Sequence, residues 1–428
     1  MLPRPLVLRL LGIGAGSLAL AAIWGLYNVF MPLLLGAFID SRALRGAIMG
    51  LDNVIAIALI PVIGAWSDRV DGRWGRRLPF LLVGVPITAL AFAALPWAAA
   101  ALWTLLLVDV VFLLAITVYR APLVALMPDH VAEPERPTAN GVITLMAAIG
   151  GATALLVIAP TFDRAHWLPF ALAAAVALAT LIALVGAAQR HPPHVSTGTV
   201  QDDAPLLGAL LRDLRSLTQP SHRNALWLLA GLFACFFGFA AIEAQFSVLA
   251  TETLGVSGGD AGRMLGFASG AFVLTALPAG VVARRLGSLR TMRFGAALLA
   301  VALVVAFIRF DPVVLAVCMA VAGAGWAAVL VPAYPLVAGL GGRDRIGFYT
   351  GMYYLFGSGA AIVAPALVGG AMDVFGNPAL LLASALALSL GVALLWASGR
   401  RGVEATVDAT VDTTVDATVD ATVDASER

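Results

Sequence analysis

The sequence predicts an all-α membrane protein of twelve transmembrane helices, arranged as two parallel six-helix repeats. Three observations carry this expectation. Hydrophobic residues make up 61% of the 428-residue chain and charged residues only 12%. A soluble domain carries about 25% charge, so this surface cannot be solvated all round. The apolar residues gather into twelve stretches, each close to the roughly 20 residues that cross a bilayer as a helix. Turns that combine glycine with charge then recur at matching places in the two groups of six.

Spans are expected near 11–39, 46–66, 79–97, 101–127, 138–160, 167–188, 224–250, 262–284, 292–309, 312–338, 346–371 and 377–398. Pro, Gly and charged residues punctuate the gaps. Orientation follows from arginine, since the chain has no lysine. With the N-terminus in the cytoplasm, the clusters from Arg69 to Arg77 and from Arg284 to Arg293 lie inside. Only Arg42, Arg45, Arg164, Arg263 and Arg309 then lie outside. Arginine is retained on the cytoplasmic side, so both termini are expected there, in a multi-pass protein of the cell's inner, plasma membrane. A net charge of +1 suggests no nucleic-acid partner.

Four segments are expected: an N-terminal bundle over 1–188, a cytoplasmic linker over 189–223, a C-terminal bundle over 224–400 and a tail over 401–428. In the linker, Leu206, Leu207, Leu210, Leu211, Leu214 and Leu217 have helical spacing. They predict an amphipathic helix on the membrane surface, with a flexible tether as the alternative. The tail repeats Ala-Thr-Val-Asp. Its Val and Thr are poor helix formers with little to bury, so it is expected to be disordered.

Gly64-x-x-x-Asp68-Arg69 ends the second stretch, and Gly280-x-x-x-Arg284-Arg285 ends the eighth. More loosely, Arg136 precedes Gly141 and Gly150 at the fifth, and Arg345 precedes Gly351 and Gly359 at the eleventh. Two such groups imply repeats related by an axis along the membrane normal. The segment from Gly64 through Gly75-Arg76-Arg77 is similar to the loop signature of major facilitator transporters, so the major facilitator fold is expected. Val70, Asp71, Gly72, Arg73 and Trp74 lengthen it. This long form resembles the glycoside–pentoside–hexuronide cation symporters, and still more the sugar–proton symporters that include plant sucrose carriers. Leu51-Asp52-Asn53 with Pro61, Tyr119-Arg120-Ala121-Pro122 and Gly351-Met352-Tyr353-Tyr354 resemble that branch too. The melibiose-type members hold sodium with two acids in span two, at positions that fall here on Ala56 and Ile60. The resemblance therefore implies a sugar carried with a proton.

Asp68 closes a helix C-terminus, where a carboxylate opposes the helix dipole. It becomes favourable beside the N-terminus of another helix and among arginines. The family pattern supplies span eleven as that partner. Gly64, Asp68, Arg69, Arg73, Gly75, Arg76 and Arg77 are therefore expected to form a cytoplasmic gate that breaks as the inside opens. Arginines that only set topology are the plainer alternative, and they leave Asp68 unexplained.

A charge at mid-membrane costs at least about 2.5–3.5 kcal/mol on insertion scales, so such residues are functional candidates. They are Asp52, Asp109, Arg120 and Glu243. Asp109 and Arg120 lie about three turns and 16 Å apart on one helix face, too far for a direct ion pair. The resemblance to sucrose–proton symporters assigns proton handling to Asp109 and implies a substrate or coupling role for Arg120. Asp52 and Glu243 are further candidates for proton coupling. The alternatives are a structural tie between helices, wetting at the outer surface for Asp52, and snorkelling for Arg120.

Trp24, Tyr27, Asn28 and Met31 share one face of span one by their spacing. Tyr349, Tyr353 and Tyr354 lie on span eleven. Trp24, Tyr27 and Asn28 with Asn53, Tyr353 and Tyr354 are candidates for substrate binding, packing or interfacial anchoring being the plainer alternative for the aromatics. Sugars offer hydroxyls to polar groups and ring faces to aromatics. Cys235 and Cys318 read as small packed hydrophobes. His130, His166, His191, His194 and His222 fall in expected loops without metal spacing. No metal, cofactor or enzymatic chemistry is expected. The reading is a monomeric secondary transporter whose partners are a small-molecule substrate, protons and the lipid bilayer. It imports a sugar with a proton by alternating access, or alternatively exports an apolar or amphipathic compound in exchange for protons.

Overall fold

The computed structural model describes residues 4–70, 72–190, 192–194, 223–340 and 345–399. The expected linker helix over 206–217 and the tail over 401–428 lie outside them. Within the described residues, twelve helices are long and apolar enough to cross a membrane. Spans 1 to 6 are Pro5–Gly36, Arg42–Arg69, Leu78–Ala98, Leu102–His130, Thr138–Asp163 and Leu168–Ala187. Spans 7 to 12 are Asn224–Leu254, Gly258–Leu286, Ser288–Ile308, Pro312–Gly339, Gly347–Phe375 and Ala379–Gly399. With no water in the bilayer core, a helix that satisfies its own backbone is the form such segments must take. The chain is thus a multi-pass membrane protein. His130 departs from its expected loop position: it is the last residue of the span 4 helix and is buried. His191 and His222 lie outside the described residues.

Helix packing repeats between the two groups of six. Span 1 packs on spans 5 and 6, as span 7 packs on 11 and 12. Span 3 packs on 4 and 6, as span 9 packs on 10 and 12. The groups meet along two seams, span 2 against 11 and span 5 against 8, with spans 1 and 7 between them.

Two spans are broken. Span 2 is a short helix, Arg42–Met49, followed at Gly50 by a second one, Leu51–Arg69. Span 5 is α-helical over Arg136–Thr153, winds into a π turn at Ala154–Ile158 and ends in a 3-10 turn at Ala159–Asp163. Pro160 has no N–H to give the regular ladder, which is what loosens and then tightens the helix here. Their counterparts, spans 8 and 11, each run as one helix.

The seams are shut on the side away from the N-terminus and parted on the side that carries it. On the far side Gly46 lies on the Pro365 carbonyl and Gly369 on the Arg42 backbone, approaches that leave no room for a Cβ. Buried Gln245 donates to the Arg42 carbonyl (3.0 Å) and the Pro365 carbonyl (3.1 Å), tying span 7 to both spans of that seam. Near the N-terminal side Gly64, Gly141, Gly347 and Gly351 have open space where a Cβ would stand. Replacing Gly46 by Leu should wedge the far side apart. Spin labels on the far ends of spans 2 and 11 should then separate, with the detergent-purified variant still monodisperse. An unchanged distance would refute this account of the closure.

Candidate substrate site and gates

The intramembrane charges meet between the two groups of six. Asp52 and Asn53 come from the start of the second helix of span 2, and Arg120 from the middle of span 4. Trp24 and Asn28 come from span 1 and Glu243 from span 7. With Met49, Ala240, Ala244, Ala361 and Pro365 they line a polar chamber of about 220 Å³. Asn28 Nδ2 donates to Glu243 Oε1 at 3.0 Å, a bond across the two groups. Asn53 Nδ2 donates to Asp52 Oδ1 at 2.6 Å. Arg120 lies within electrostatic reach of Asp52 and makes no ion pair among the described residues. The chamber therefore presents an available guanidinium, two carboxyls, two amides and an indole face.

Asn28 and Glu243 also border a second chamber, of about 270 Å³, on the side of spans 5 and 8. Its wall includes Leu155, Phe239, Ile242, Phe272, Met319 and Trp326, with the Ser269 hydroxyl and the Trp326 indole N–H as its other polar groups. Phe239 and Trp326 stack at 4.1 Å, their planes 3° apart. Composition did not announce this chamber, because the same residues serve lipid-facing and packed positions.

Asp109 and Tyr27 are not on either wall. Asp109 is 2% exposed and Tyr27 is 1% exposed. Tyr27 stacks on Phe112 at 5.1 Å, and Trp24 tilts over it from the chamber side at 5.4 Å. Tyr27 Oη and Asp109 Oδ1 are both buried and make no bond of standard geometry among the described residues, and the phenol and the carboxyl lie close enough to interact with each other. Span 4 therefore puts Arg120 on the chamber and Asp109 behind an aromatic cover. Tyr353 packs on Phe236 and Tyr334, and Tyr349 is buried. Tyr354 is 61% exposed and within electrostatic reach of Arg120.

Far-side closure rests on charged residues at the ends of the spans, most of them not singled out by the sequence. Ser41 caps the first helix of span 2 by accepting from the Leu44 N–H. Asp373, at the end of span 11, accepts from Ser41 Oγ (2.8 Å) and from the Arg42 and Ala43 N–H groups (2.8 and 3.0 Å). Ser257 caps span 8. Asp163, at the end of span 5, accepts from Ser257 Oγ (2.8 Å) and the Gly259 N–H (3.1 Å). Each group of six thus lends a carboxylate to a helix N-terminus of the other, where it meets unpaired N–H groups and a favourable dipole. Arg45 adds an ion pair to Glu252 at 2.5 Å, and Arg42 one at 2.8 Å. One hint existed in the sequence: Arg42 and Arg45 stand against the inside bias of arginine.

On the other side Asp68 stays within its own group. Arg77 pairs with Asp68 at 2.5 Å, donates to Asp129 at 2.9 Å and also bonds Ser67. Arg77 thereby ties span 2 to the end of span 4. Arg69 and Arg73 are exposed, Arg76 is half-buried, and none has an ion pair among the described residues. Gly75 adopts φ +75°, a left-handed turn that brings its buried backbone onto Arg190, whose guanidinium covers Trp74 at 4.9 Å.

Two matches to the Major Facilitator Superfamily, over residues 13–365 and 244–414, take in nearly the whole chain. The chain belongs to the Major Facilitator Superfamily. It is accordingly a transporter, not an enzyme, and carries small-molecule substrate. This superfamily member is 28% identical over 152 residues to solute carrier family 45 member 3 of Mus musculus. That match spans 32% of this chain and 27% of the relative. Its fold is that of the nucleoside transporter NupG (TM-score 0.69, 13% identity, 92% of this chain and 98% of the other). It is equally that of a bacterial homologue of the iron transporter ferroportin in its inward-facing state (TM-score 0.68, 14% identity, 91% and 98%).

Removing a helix cap costs about 0.5–2 kcal/mol, roughly 2- to 30-fold in an equilibrium between closed and open far sides. Asp163→Ala and Asp373→Ala should each open the far side by such a factor. The corresponding Asn variants, which keep an acceptor, should do so less. Accessibility of a far-side reporter cysteine to a membrane-impermeant maleimide checks this.

Proposed function

We propose that this transporter imports a sugar together with a proton, by rocking its two groups of six about the polar chamber. The observation that carries this reading is the chamber's convergence of hydrogen-bonding groups on the seam between the groups. Asp52 and Glu243 accept from hydroxyls, Arg120 and the amides of Asn28 and Asn53 donate, and Trp24 offers a ring face. Two carboxyls against one guanidinium leave one negative charge, which a single proton balances, so a neutral solute meets a neutral site. Asp109 is a third proton position, with Tyr27 controlling its contact with the chamber. Tyr353 and Tyr354 line the approach from the N-terminal side.

With the N-terminus in the cytoplasm, as the arginine bias supports, the structure faces inward. In the outward-facing state the gate of Gly64, Asp68, Arg69, Arg73, Gly75, Arg76 and Arg77 re-forms against the N-terminus of span 11. The protein acts as a monomer in the plasma membrane, built as bundles over 1–188 and 224–400. A membrane potential of 100 mV supplies about 2.3 kcal/mol per charge, enough for roughly 50-fold accumulation with one proton. A second reading, export of an amphipathic compound by proton exchange, is supported by the apolar chamber.

Proteoliposomes separate the two. An acid exterior should drive uptake of a labelled sugar, drawn from a panel of mono- and disaccharides. Extrusion of an amphiphile with no sugar flux would overturn the import reading. Glu243→Gln and Asp52→Asn should lose accumulation against a gradient while retaining exchange down it. Asp68→Asn should slow uptake with normal membrane insertion, and unchanged uptake would refute the gate.

A further inference from the structure

The apolar chamber has no role in carrying a plain sugar. It is not separate from the polar one, since Asn28 and Glu243 border both. Each chamber alone is smaller than the roughly 300–1,000 Å³ of a ligand pocket, and the two together fall within that range. The shared border is polar, and beyond it the wall turns apolar. A ligand filling both spaces must therefore be hydroxylated at one end and apolar at the other.

The chamber's walls narrow the apolar end further. Phe239 and Trp326 form a stacked pair at 4.1 Å, and Phe236 meets Trp326 edge-on at 5.4 Å. Flat aromatic walls favour a ring that stacks or meets them edge-on. A nucleobase would bring several ring donors and acceptors to a wall whose polar groups beyond the shared pair are the Ser269 hydroxyl and the Trp326 indole N–H. These are too few to meet them, and an unmet buried polar group is costly. An unsubstituted aryl group brings none.

We propose that the substrate is an aryl glycoside, its sugar hydroxyls held in the polar chamber and its aromatic aglycone against Phe239 and Trp326. This rests on the reading of the polar chamber as a sugar site. The Asn28–Glu243 bond lies where the glycosidic linkage crosses, so it serves both as a wall of the sugar site and as a threshold to the ring.

The test uses matched pairs, the phenyl and methyl β-glycosides of glucose, galactose, xylose and glucuronate. Each competes for binding to the purified full-length protein. For the preferred sugar the phenyl form should bind at least roughly tenfold tighter, the gain from burying a ring of this size. Ser269→Phe and, separately, Ala148→Phe fill the apolar chamber from spans 8 and 5. Both should bring the phenyl-to-methyl ratio measured within each variant close to one. Equal binding of the pairs by the unaltered protein overturns this inference and leaves the sugar reading standing. So does a ratio that both filled variants preserve. Tighter binding of nucleosides than of any phenyl glycoside overturns the aryl assignment. Binding of no glycoside in either form overturns the sugar reading and this inference with it.

Discussion

A carboxylate at the end of one helix satisfies the bare N–H groups at the start of another, and the structure does this twice across its midline. Asp373 reaches the first turn of span 2 and Asp163 the first turn of span 8. Spans 5 and 11 occupy equivalent places in the two groups, as do spans 2 and 8. The same contact is therefore made once in each direction. The far side closes because helix ends that would otherwise need water are completed by the opposite group. Everything described at the centre follows, since the polar chamber is closed at its far end only while that wall is shut.

Closure of this kind is strong enough to favour one state and weak enough to yield. Each cap contributes about a kcal/mol, and the part-exposed Arg42–Glu252 pair adds little more. Inverting a 99:1 preference takes about 5.5 kcal/mol. That is within what substrate, proton and a re-formed contact on the opposite side can supply jointly. The close glycine approaches at Gly46 and Gly369 act differently. They set how near the helices come, and hence whether the caps can form at all.

The spans were legible in the sequence because the bilayer permits little else, and each helix falls within a few residues of its expected place. Asp52, Arg120 and Glu243 were legible because a charge among apolar residues is costly and needs a reason. Their assembly was not. Asn28 and Glu243 meet across more than half the chain, and no local pattern joins them. Tyr27 and Trp24 sit one helical turn apart with the same signal, yet one lies behind the wall and the other on it. Asp163 and Asp373 carry no local signal, because the helix ends they complete lie in the other group of six. The apolar chamber was invisible for a more general reason: leucine and phenylalanine look alike whether they face lipid, packing or an empty space.

Spans 2 and 5 each contain an interruption, at Gly50 and at the π turn of Ala154–Ile158, and both belong to the first group of six. Their partners across the seams, spans 11 and 8, each run as one uninterrupted helix. The two repeats share an architecture without sharing these interruptions. The later helices can serve as levers and the earlier ones as joints, so a stroke of this machine would be lopsided, with curvature changing in one repeat while the other only tilts.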